Sequence, residues 1–310
     1  MAYDIVGDVH GHARELRAIL EQMGYRESRG AYRHSSRTAI FVGDLIDRGP
    51  ANIEAATIAR QMVEEGAARI VMGNHEFNAI AFHTEDPERV GEYLRPHNHK
   101  NVTQCQATLQ EFEARPDQKG ILLDWFRTLP LFIDLPDIRV VHACWDRQGL
   151  AELKPHLNAD HSMSEALFIS ACRKGSSENA ARDTLVNGPE VDLPDGVSFL
   201  DKDGHRRTAM RLKWWLCGSG RLPFRKAGLG LEEAEQDLLP DDDLPVDTLD
   251  RFAPDTKPTF FGHYWFKDMP PAPTSLTTAC VDYSVARGGA LVAYRWNGES
   301  ELSRENFCFV

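Results

Sequence analysis

Five short apolar runs, YDIVGDVH, TAIFVGDLID, ARIVMGNHE, IRVVHAC and PTFFGHYW, each lead into side chains that can ligate a metal: Asp8 and His10, Asp44, Asn74, His142 and His263. Two carboxylates, one amide and three imidazoles make a mixed nitrogen and oxygen set, suited to Zn, Fe or Mn rather than to Ca, which prefers oxygen throughout. With Asp44 bridging, two ions would stand roughly 3.5 to 4 Å apart, the spacing used for in-line displacement at phosphorus. Two divalent ions against two carboxylates and one hydroxide leave about one positive charge for an anionic ester, and Asn74 in place of a third carboxylate preserves it.

Such a set needs a sheet to hold it. Runs of four or five β-branched and aromatic residues bounded by Gly read as buried strands, and open α/β sheets carry their sites outside the carboxyl ends of the strands. After the first run, Leu16, Ile19, Leu20 and Met23 fall at helical spacing, with Gly24 as a stop. The unit repeats as TAIFV, a loop from Asp44 to Pro50, and a helix from about Asn52 whose Ile53, Ala56, Met62 and Val63 favour one face. RIVM, the segment Gly73 to Glu76 and a third helix follow, and this alternation implies a layered, parallel-rich α/β fold. ILLDWFRTLP predicts a helix stopping at Pro130, and LFIDL and IRVVHA predict a hairpin turning at Pro136-Asp137. SLTTACVDYSV and ALVAYRW read as strands flanking a turn at Arg287-Gly288-Gly289. Residues 146 to 257 show no repeat and read as an insert over the sheet within a single domain of residues 1–310; the acidic stretch LEEAEQDLLPDDDLPVDTLD reads as a solvated lid or loop.

Composition narrows the function. The 310 residues, 42% hydrophobic and 26% charged, are ordinary for a globular chain and supply a sizeable core. A net charge of −12 argues against extended nucleic-acid binding, which needs a basic patch to displace counterions. The six cysteines are scattered with no CxxC pair, so a reducing cytoplasm is the simplest home. With the first strand starting near Tyr3 and no 18-residue apolar run, the expectation is a soluble protein with no targeting segment and no membrane partner.

The ordered motifs GDVHG, GDLIDRG and GNHE, followed by two later histidines, resemble the calcineurin-like metallophosphoesterases, and within them the phosphoprotein phosphatase family, over roughly residues 3 to 145 and 258 to 296. The resemblance implies a two-sheet metallophosphoesterase sandwich flanked by helices. It also implies that Asp8, His10 and Asp44 hold one ion and Asp44, Asn74, His142 and His263 the other, Mn being the first guess over Fe or Zn. In that family the residue at His75 is a general acid for the leaving oxygen, oriented by Asp47; a histidine near its neutral pKa, fixed by a carboxylate, suits that task. Arg48 would clamp phosphate bidentately, with Asn74 also facing substrate. A second phosphate-binding arginine, present in the family's protein phosphatases, has Arg147 and Arg211 as candidates. The chain departs from the family where His142-Ala143-Cys144-Trp145 and His263-Tyr264-Trp265 carry larger neighbours than usual.

The leading expectation is a phosphatase that hydrolyses phosphomonoesters, on protein or small molecules, by direct attack of a hydroxide held between the ions, with no covalent phosphoenzyme. The alternative is a diadenosine polyphosphate hydrolase, for which Trp145, Trp214, Trp215, Tyr264 and Trp265 could stack a nucleobase, although core packing is their first reading. A catalytically silent binding module is a third reading, opposed by the intact ligand set and separable by metal stoichiometry. His12 is expected on the first helix, and His83, His97 and His99 in a solvated loop. Asp282, Gly288 and Gly289 resemble the family's closing hairpin.

Overall fold

In the computed structural model, which describes residues 2–200, 205–231 and 233–310, the apolar runs pair into two principal sheets. The first has the order Asp282–Tyr283, Ala290–Trp296, Ala2–Val6, Arg37–Phe41, Ala68–Ile70, with Phe307–Phe309 also paired to Ala290–Trp296. Its last three strands are parallel and Ala290–Trp296 is antiparallel to them. The second has the order Thr278–Cys280, Thr259–Phe261, Arg139–Val141, Phe132–Asp134, parallel except for the final hairpin.

Alternation along each strand builds the layers, because successive side chains leave a strand on opposite faces. Ile5, Ile40, Val140, Phe260 and Tyr294 meet between the sheets, while their neighbours Val6, Phe41, Val141 and Phe261 join the outer cores under the helices. The result is the expected two-sheet sandwich flanked by helices. In both sheets the ligand-bearing strands are parallel, so all five deliver their carboxyl ends to one edge.

Several features differ from the sequence expectation. SLTTACVDYSV is not one strand: Cys280 pairs with Phe261 in the second sheet and Asp282 with Leu291 in the first, so the chain crosses the sandwich at the buried Val281. His99–Ala114 is a helix of 16 residues, capped by the Asn98 side chain on the Asn101 amide; only Thr108 and Phe112 are buried along it, too thin a stripe to show as periodicity. His97 is not in a solvated loop either: its ring stacks between Phe82 and Tyr93, with Nε2 2.7 Å from the Phe82 carbonyl.

The region 146 to 257 packs against the sandwich through Leu185, Trp214 and Phe252, which are buried in the same core as Val141 and Phe261. Its acidic stretch is tied down rather than solvated throughout, because Leu239, Leu244 and Leu249, set between the carboxylates, are buried, and Asp243 and Asp241 pair with Arg221 and Arg225. Glu232 of that stretch lies outside the described residues. Among the described residues no helix is long and apolar enough to cross a membrane.

Candidate active site

The loops that follow the strands are laced to one another before any side chain acts. The Asp44 carbonyl accepts the amides of Val9 and His10, the His142 carbonyl accepts the Gly262 amide, and His10 accepts Gly49. Glu76, fully buried at the start of the Asn74–Phe82 helix, takes three amides on one carboxylate: Asp44 at 2.8 Å, Leu45 at 2.8 Å and Gly73 at 3.0 Å. The backbone is strained here. Of the non-glycine residues with positive φ, His10, Asp44, Asp47, Arg48, His263, Trp265 and Ser284 gather at this edge, and conformations of this kind persist only where the surroundings over-determine them.

The ligand candidates converge. Asp44 Oδ2 lies 3.4 Å from His142 Nε2 and 3.7 Å from His10 Nε2, and Asn74 Oδ1 lies 3.0 Å from His142 Nε2 and 3.1 Å from His263 Nδ1. His10, Asp44 and His75 form one compact donor group, and Asp44, His142 and His263 another, with Asp44 common to both. Asp8 stands at their border, its Oδ2 accepting the His263 amide at 3.0 Å. Asp8 Oδ1, His10 Nε2 and His263 Nε2 are buried without a partner, a costly state for polar atoms that an ion would relieve, so the residues fit divalent metal. The imidazoles are pre-oriented, since His10 Nδ1 faces the Ile46 carbonyl at 3.1 Å and His142 Nδ1 the Val42 carbonyl at 2.7 Å, leaving the other nitrogen toward the centre. Burial, with the charge of His75, lowers His10 to about 3, while burial and then Asp282 push Asp8 well above the usual carboxylate range.

Beside this centre, His75 Nδ1 lies 2.6 Å from Asp47 Oδ2, and Thr108 holds Asp47 by donating its hydroxyl to Oδ1 and accepting the Asp47 amide. The His75 ring is buried, which would lower its pKa, but Asp44 and the hydrogen bond to Asp47 outweigh burial and raise it. A cavity of about 80 Å³ opens next to it, lined by Asp47, Arg48, His75, Asn78, Arg95 and Gln104 among others. Arg48 is exposed, and its guanidinium carbon lies 4.2 Å from the Trp265 ring centroid.

The candidates for a second arginine divide. Arg147 donates to the Ala253 carbonyl and faces Asp255, so it turns into the insert. Arg211 reaches His263 electrostatically: burial, His142 and then Arg211 hold that imidazole low. The aromatics divide as well. Trp145, Trp214, Trp215 and Tyr264 are buried, and all but Trp145 pack around Phe261, whereas Trp265 is half-buried beside His10 at 5.6 Å between ring centroids. His12 precedes the first helix without capping it and faces Glu15. Sequence reasoning missed Glu76 as an organiser, Thr108, whose partner is 61 residues away, and Arg287, which lies 4.2 Å over the same Trp265 ring as Arg48. Glu76 lies within the GNHE motif and Arg287 in the turn after Asp282, which was weighed for turn geometry and a site role alike, but neither residue was singled out.

A sandwich whose strand ends gather aspartates, an asparagine and histidines around two adjoining donor groups defines a class, and the sequence comparisons name it. Residues 1–162, just over half of the chain, match the calcineurin-like phosphoesterase family, and the chain belongs to that family. It is 30% identical over 230 residues, 72% of this chain and 71% of the other, to a symmetrical bis(5'-nucleosyl)-tetraphosphatase of Shewanella sediminis. It is 27% identical over 308 residues, 98% of both chains, to the protein of that name from Vibrio cholerae. An asymmetrical bis(5'-nucleosyl)-tetraphosphatase of Halalkalibacterium halodurans is 45% identical over 142 residues, 46% of this chain and 55% of its own length, so the chain spans about half of such relatives.

Proposed function

We propose that this chain is a phosphoric ester and anhydride hydrolase that works with two divalent metal ions, Mn first, and takes dinucleoside polyphosphates as its substrate class. The observation that carries the hydrolase reading is the convergence of His10, His142 and His263 on Asp44, with the unpartnered buried atoms of Asp8, His10 and His263, beside His75, whose other ring nitrogen is held by Asp47. Asp8, His10 and Asp44 would hold one ion, and Asp44, Asn74, His142 and His263 the other. Ions so placed would supply Lewis acidity toward phosphoryl oxygens and toward water. The remaining work belongs to the chain. Arg48 grips the reacting phosphate, its planar fork matching two oxygens. His75 donates the Nε2 proton to the leaving oxygen, and Asp47, fixed by Thr108, holds the ring for that transfer.

The substrate class is supported by the tetraphosphatase names of the relatives matched over most of both chains. A second reading, phosphomonoesters, is favoured by the His75–Asp47 pair itself, since a held acid matters most for an alkoxide leaving group. One competition separates them: the Mn-loaded protein is given diadenosine tetraphosphate and a phosphothreonine peptide together, with products resolved by ion exchange. Nucleotide products are expected to outpace free phosphate, and the reverse order assigns the monoester. His75→Asn should lower kcat on the better substrate by about 10²- to 10³-fold with metal content unchanged, and an undiminished rate would remove His75 from its role.

A further inference from the structure

Many arginines on this fold pair with carboxylates, among them Arg37 with Asp4, Arg173 with Asp86 and Arg251 with Asp146. In a chain with 47 acidic and 35 basic residues that is the expected state. Arg48 and Arg287 are different. Both are exposed, both guanidinium carbons lie 4.2 Å from the Trp265 ring centroid, and among the described residues neither side chain makes an ion pair or a hydrogen bond. Two cations brought to one indole repel each other, and the ring's attraction holds them without occupying their N–H donors.

One buried carboxylate sets up this arrangement. Asp282 Oδ2 accepts the Trp265 amide at 2.7 Å, and its Oδ1 accepts the Ser284 amide at 3.0 Å, at the start of the 3-10 turn Val285–Arg287. The loop that bears Trp265 and the turn that bears Arg287 are thereby hung on one side chain, at the border of the metal centre where Trp265 meets His10. Arg48 feels the charges of Asp44, Asp47 and Asp282, which favour its cation, and that of Arg287, which opposes it, so each arginine lies in the other's field.

We propose that Arg48, Trp265 and Arg287 form a polyphosphate clamp, in which Arg48 holds the reacting phosphate and Arg287 the adjoining one along an anhydride chain. An anhydride brings its second anionic group next to the first, and the free donors of Arg287 match its oxygens bidentately. The mutual repulsion of the two cations is relieved when that second charge is bound, which a monoester cannot do. The inference rests on the polyphosphate reading above and makes Arg287 a specificity residue for it.

The test compares two ligands that are not turned over: methylphosphonate, with one anionic group, and methylenediphosphonate, with two. Calorimetry on the Mn-loaded full chain at one fixed free Mn concentration is expected to show at least a tenfold preference for the diphosphonate in the wild type. Arg287→Ala should lose most of that preference, and Arg287→Lys should fall between, keeping the charge without the fork. The same preference in wild type and Arg287→Ala overturns the clamp. So does an equal loss for both ligands, which would put Arg287 on the same phosphate as Arg48. Because no catalysis is read, a wild type that fails to cleave diadenosine tetraphosphate would sink the substrate reading separately, leaving the diphosphonate margin to judge the clamp.

Discussion

Asp44 has both oxygens committed in different directions: Oδ1 accepts the His75 amide at 2.9 Å, and Oδ2 faces His142 at 3.4 Å and His10 at 3.7 Å. In the metal-free chain this fixes a proton. Burial would lower the His142 pKa, but the Asp44 carboxylate more than offsets it and raises the imidazole to about 10. His142 therefore carries a proton at neutral pH, on a nitrogen that a metal would need. Binding must displace that proton, so the apparent metal affinity should rise with pH, by up to about tenfold per unit below 10 for a single released proton. Calorimetric titrations at pH 6.5 and 7.5, in buffers of different ionisation heat, measure the number released; none would show that His142 binds no ion. At this scale the six ligand candidates were visible as residue types after strand-like runs, and Asp47, Arg48 and His75 through the resemblance that GDLIDRG and GNHE carry. Thr108 and Arg287 were not, because their roles come from a helix and a turn that approach the motifs only in space.

The elements that carry these residues meet more closely than side chains allow. A Cβ on Gly262 would lie 1.9 Å from Asp8 Oδ1 and 2.8 Å from Val42 Cγ2, so the last ligand strand can seat His263 against the first loop only with glycine there. Gly262→Ala should cost about 1 to 3 kcal/mol and should cut metal stoichiometry, since Asp8 must move; mass spectrometry of metal content with a thermal melt decides it, and full occupancy would sink the argument. Gly120 is the opposite case. It is exposed inside the Pro116–Arg127 helix with nothing near its Cβ position, so Gly120→Ala should stabilise by about 0.5 to 1 kcal/mol. Strands such as Ala2–Val6 and Ala290–Trp296 were legible because their residues are buried on one or both faces in runs. The split at Val281 was not, since an apolar run that passes between two sheets looks the same as one that stays in a single sheet. The His99–Ala114 helix, with two buried positions, leaves no pattern to read.

At the scale of the whole molecule, we propose that sandwich and insert are one domain. Asp146, fully buried just after the His142 loop, accepts Arg251 Nε at 3.0 Å and Nη2 at 2.5 Å, and also caps the Arg147–Leu153 helix. The Val246–Phe252 helix is bolted by that pair to the loop after the His142 strand, and removing Arg251 would leave the buried Asp146 carboxylate uncompensated. Urea unfolding followed by far-ultraviolet dichroism and tryptophan fluorescence should give coincident transitions; two separated midpoints would mark the insert as its own unit. The insert was read from its lack of repeat, and its attachment was hidden because Leu185, Trp214 and Phe252 sit in short apolar clusters with no common spacing. The ligand candidates come from both sheets, Asp8, Asp44 and Asn74 from one, His142 and His263 from the other. An ion seated among them is thus a rivet through the sandwich, and its binding energy is counted in folding: at a hundred times its dissociation constant it adds about 2.7 kcal/mol. The melting temperature of this chain becomes a gauge of its metal diet, so that a cell short of the right ion would lose the protein to unfolding as well as lose its chemistry.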